Sequence, residues 1–72
     1  MILTTINRAK ELNEVETQLL EIRFQLRQQA LIGGRVCEVA HMLIQLEREK
    51  LGGMPCNLKA IRLRIKELTK NL

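Results

Sequence analysis

Apolar residues recur along this chain in alternating steps of three and four. Leu12, Val15, Leu19, Ile22 and Leu26 form one series, and Val36, Val39, Leu43 and Leu46 a second. Leu58, Ile61, Ile65, Leu68 and Leu72 form a third. Such steps keep side chains in one line along an α-helix, the a/d seam of a helix packed lengthwise on another. The pattern predicts an all-α single domain over residues 1–72. A long helix over 4–32 forms an antiparallel hairpin with a helix over 35–51, and a short helix over 57–72 follows, all with coiled-coil-like packing.

The breakers set these limits. Thr4 or Thr5 can cap the first helix through a hydroxyl that accepts a free backbone N–H. No Gly or Pro then interrupts the chain until Gly33-Gly34, which leaves about 29 residues, or ~43 Å of helix. The glycine pair can take up the positive φ that ends a helix and reverses the chain. Gly52-Gly53-Met54-Pro55 ends the second helix, because Pro55 has no N–H and disfavours helix at the residue before it. Asn57 is positioned to cap the third. That helix either continues along the N-terminal half of the first or folds back into a three-helix unit.

A second apolar stripe lies beside the seams. Leu20, Phe24 and Leu31 carry it on helix one, with Thr17 and Gln28 in the same row; Cys37, Ala40, Ile44 and Leu51 carry it on helix two. A simple hairpin needs one stripe per helix, so two imply a further helix against them. The candidates are the chain's own third helix, a second copy or another protein. Leu20, Phe24, Leu31, Ile44 and Leu51 are the predicted partner-interface residues.

Composition narrows the function. Seventy-two residues are near the lower limit for one self-sufficient core. Phe24 is the only aromatic residue, and there is no Asp, Ser, Trp or Tyr. The net charge of +4 is concentrated at one end. Up to Leu58 seven basic residues balance seven Glu, whereas Lys59, Arg62, Arg64, Lys66 and Lys70 face only Glu67. Those five residues form a candidate anion-binding face. Like charges four apart on a helix cost a few tenths of a kcal/mol each, which nucleic-acid phosphates or an acidic protein surface can offset. A solvated outer face is the simpler reading.

Little else suggests chemistry. Cys37 and His41 stand four apart with Cys56 beyond them, but a closed zinc site needs a fourth ligand, which only Glu38 or a partner could supply. No metal, cofactor or catalytic residue is expected. The Cys–His pair lacks an orienting third group, and neither Gly pair is followed by the Lys-Ser/Thr of a phosphate loop. Two thiols without a secreted-type framework, no signal-like N-terminus and no ~20-residue apolar run point to a cytoplasmic chain with reduced cysteines and no membrane span.

The stretch from Leu20 through Arg23, Phe24 and Arg27 to Gly33-Gly34 resembles the hairpin of the small co-chaperones for type III secretion needle proteins. Those are short helical hairpins that pair with a second chaperone to hold a needle subunit before export. The likeness spans about a fifth of the chain, and the break at Gly52–Pro55 departs from that family's continuous second helix. It implies an oligomeric, non-enzymatic adaptor or co-chaperone. The residue pattern independently predicts the same class, a module that binds a helical partner or itself. The alternative is a nucleic-acid-binding regulator using the basic third helix.

Overall fold

The structure is a computed structural model that describes residues 2–29 and 34–70, with side chains from Ile6 onward. Three helices follow in order: α1 over Ile2–Gln28, α2 over Gly34–Lys50 and α3 over Leu58–Thr69. The main packing is of α1 with α2 and of α1 with α3. The ion pairs fix the directions. Arg8 near the start of α1 meets Glu49 at the end of α2, and Glu16 meets Lys50, so α2 returns antiparallel along α1. Arg62 meets Glu11 of α1 and Arg64 meets Glu38 of α2. The third helix therefore folds back beside the hairpin, giving a unit 43 × 20 × 17 Å.

The core is the set of seams. Leu12, Val15, Leu19, Ile22 and Leu26 are buried on α1, and Leu58, Ile61, Ile65 and Leu68 on α3. On α2 the buried residues are Val39, Met42 and Leu46, while Val36 and Leu43 are only half-buried. The expected seam through Leu43 is thus displaced toward Met42. Glu38, Met42 and Glu49 share one side of α2 at helical spacing. That side is where Glu38 reaches Arg64 of α3 and Glu49 reaches the backbone of Cys56. A neighbour on that flank draws Met42 inward.

Helix ends follow local chemistry. α1 begins at Ile2, so it already contains Thr4 and Thr5, and neither is its cap as expected. Its regular hydrogen bonding runs to Gln29, which donates to Gln25 O at 3.0 Å. Gly33 and the rest of 30–33 lie outside the described residues, and Gly34 is the first residue of α2. At the other end of α2, Gly52 N–H donates to Glu49 O (3.0 Å) and Gly53 N–H to Arg48 O (2.8 Å). This is the paired 5→2 and 6→1 closure of a Schellman cap, with Gly52 at φ +90°. A side chain on Gly53 would place its Cβ 2.8 Å from the Arg48 carbonyl oxygen, so both glycines are required. Asn57 caps α3 as expected, its Oδ1 accepting from Ala60 N–H at 3.1 Å.

Candidate functional site

Two flanks of the α1–α2 pair have different fates. The flank carrying Glu14, Gln18 and Ile22 is covered by α3, whose Arg62, Ile65 and Lys66 complete a shallow cleft there. The opposite flank is open. Its groove is lined by Glu16, Leu20 and Arg23 of α1 and by Ala40, Leu43, Ile44 and Glu47 of α2. Phe24 lies one turn beyond Leu20 and is 62% exposed. Leu20 is 41% exposed and Ile44 50%. Three of the predicted interface residues therefore share one uncovered face.

The other two stand apart. Leu51, 79% exposed, falls in the turn just after α2 rather than within the helix. Leu31 lies outside the described residues. Ile6, Met54 and Leu63 are also exposed, but scattered apolar residues are ordinary on small proteins. What distinguishes the groove is contiguity: several aliphatic side chains meet along two adjacent helices, with charges confined to its ends.

The basic residues of α3 do not act as one free face. Arg64 donates to Glu38 through Nε and Nη2 and to Glu67 through Nη1, so it straps α3 to α2. The Arg64 guanidinium holds the Glu38 carboxyl below the usual carboxylate range. Arg62 lies 3.7 Å from Glu11 on the other flank of α3. Lys59, Lys66 and Lys70 are exposed.

One polar cluster was not foreseen from sequence. Arg8 makes a two-pronged contact with Glu49, Nε to Oε2 at 2.6 Å and Nη2 to Oε1 at 2.8 Å. The same Nη2 donates to the Cys56 carbonyl, and Cys56 N–H donates to Glu49 Oε1, both at 2.8 Å. This latch ties the α2–α3 loop to both long helices. The Arg8 hydrogen bond drives the Glu49 carboxyl down to about 2. Burial, followed by the neighbouring Glu49, pushes the Cys56 thiol up. Its members satisfy one another's hydrogen-bonding groups.

The Cys37–His41 pair does not close into a metal site. Both are exposed on α2, Glu38 is engaged by Arg64, and Cys56 sits at the far end of α2 beside Glu49. Among the described residues no group of three His, Cys or Glu side chains is placed to hold an ion. Cys37 and Cys56 are free thiols. Among the described residues no helix is long and apolar enough to cross a membrane. Comparison with known proteins finds no matching family model, no matching curated protein and no matching solved structure.

Proposed function

We propose that this protein is a non-enzymatic interaction module, a small helical adaptor that binds a helical surface through the open face of α1 and α2. The observation that carries this reading is Phe24, the one aromatic side chain, held mostly in water one helical turn beyond Leu20, at the Arg23 end of the groove that Leu20 and Ile44 line. Covering that ring alone recovers on the order of 3 kcal/mol at ~25 cal/mol per Å². Aromatic anchors within an apolar patch are where binding energy concentrates. A cytoplasmic co-chaperone, as the hairpin resemblance implies, is one form of this module. Nucleic-acid binding has weaker support, since Arg62 and Arg64 already face carboxylates.

The test is a photo-crosslinking residue placed at position 24, with position 59 on α3 as control, in the source cell and in purified protein. Protein adducts from position 24 but not from 59 are expected. Absence of any adduct from position 24 in either setting would overturn the proposal.

A further inference from the structure

We propose that the occupant of this face is a second copy of the chain, stacked antiparallel so that each groove lies reversed upon the other. The inference rests on the reading above, that the face is a docking surface, and names its partner. Two observations carry it.

The first is area. A compact monomer of 8.3 kDa exposes about 4,600 Å² by the general surface-to-mass relation. This chain exposes 5419 Å². The excess, roughly 800 Å², belongs to an elongated unit and is comparable in size to what each partner loses in an interface of standard size. Stacking two α1–α2 pairs makes a four-helix layer of the kind helical bundles use, with α3 left on the outside of each copy.

The second is the placement of charge. Arg23 marks one end of the groove, Glu16 and Glu47 the other, and Leu20, Leu43 and Ile44 lie between them. Two copies can meet face to face with their helices in the same sense or reversed. The same sense lays α1 over the partner's α2, which sets Glu16 against the partner's Glu47 and leaves Arg23 at the other end without an acidic group. Reversal about a two-fold axis near Leu20 and Ile44 lays Arg23 over the partner's acidic end, with Glu16 on the facing helix and Glu47 beside it across the groove, twice per dimer, as an isologous contact requires. Glu16 is already held by Lys50 at 2.8 Å. Arg23 and Glu47 have no ion-pair partner among the described residues.

Light scattering and sedimentation equilibrium on the full chain test this. Wild type should run at twice 8.3 kDa, and Phe24→Glu at the single mass with unchanged helical circular dichroism. Arg23→Glu and Glu47→Arg should each weaken the dimer about tenfold, a modest effect per pair acting at two symmetric positions. The double variant should return to within about threefold of wild type, because exchanging the two ends keeps them complementary. A wild type that remains at the single mass on the order of 100 μM, the regime of weak self-association, overturns the proposal. So does a dimer indifferent to Phe24→Glu, or a double variant no tighter than the single ones. If a monomer crosslinks to a different protein through position 24, self-pairing fails while the docking face stands. If a monomer gives no adduct there, both fail.

Discussion

Replacing Glu49 with Gln removes a charge from the Arg8–Glu49–Cys56 latch while keeping its size and an oxygen to accept from Cys56 N–H. The folded Glu49 carboxyl titrates at about 2, against an ordinary value of 4.5. A depressed carboxylate contributes stability above its unfolded value and loses it as pH falls through the folded one. Taken at face value, that difference corresponds to a ceiling of about 3 kcal/mol. Glu49 is only 11% exposed, but Arg8 is 34% exposed, so solvent screens the pair and about 1–2 kcal/mol is the expected contribution. For a domain whose core supplies ~3–5 kcal/mol, that is a large fraction. Urea unfolding followed by circular dichroism at 222 nm, at fixed protein concentration, measures it; a chain without Trp or Tyr offers little fluorescence signal. Wild type should hold its stability above about pH 5 and lose it between pH 4.5 and 2. Glu49→Gln should start lower at neutral pH and fall less steeply in that window. Glu38, also held down by an arginine, titrates in the same direction, so some slope remains. Parallel curves for wild type and Glu49→Gln from pH 7 to 2.5 would refute the assignment of the latch.

Further outcomes follow from the same packing. Leu19→Ala should cost about 3–5 kcal/mol on unfolding, since Leu19 is fully buried in the seam. Phe24→Ala should change the intrinsic stability of the isolated chain by less than about 0.5 kcal/mol, because the ring packs on little within it. Asn57→Ala should cost about 1 kcal/mol through loss of the α3 cap, and Gly53→Ala at least as much, through its clash with the Arg48 carbonyl; both are read from denaturation midpoints. With a thiol-specific reagent at neutral pH, exposed Cys37 should label well before half-buried Cys56, whose raised titration point withholds the reactive thiolate. Equal rates would contradict the placement of Cys56.

What could be read in advance was whatever depends on near neighbours in sequence. The α1 seam and the α3 seam from Leu58 to Leu68 follow from helical period alone, and Asn57 as a cap follows from its place just after Pro55. The exchange of Leu43 for Met42 did not, because it depends on which flank α3 covers. That in turn depends on the return direction of α3, which the length of the α2–α3 loop leaves open. The Arg8–Glu49 pair joins residues 41 apart, and no local rule selects that partner among seven other glutamates. For the candidate face, period placed Leu20 and Phe24 on a second stripe of the first helix and Ile44 on a second stripe of the next. Its exposure became visible only once α3 was seen to occupy the opposite flank. The five basic residues from Lys59 to Lys70 look like one face in sequence, yet their rotation around the helix divides Arg62 toward α1 and Arg64 toward α2.

The shared dependence of α2 and α3 on α1 has a mechanical consequence. The first helix serves as a spine: the two shorter helices pack chiefly on it and are strapped to each other mainly through Arg64. A fragment beginning at Gly34 would present two short amphipathic rods with nothing to lean on. Unfolding should accordingly be a single event, with no partially assembled pair surviving the loss of its backbone.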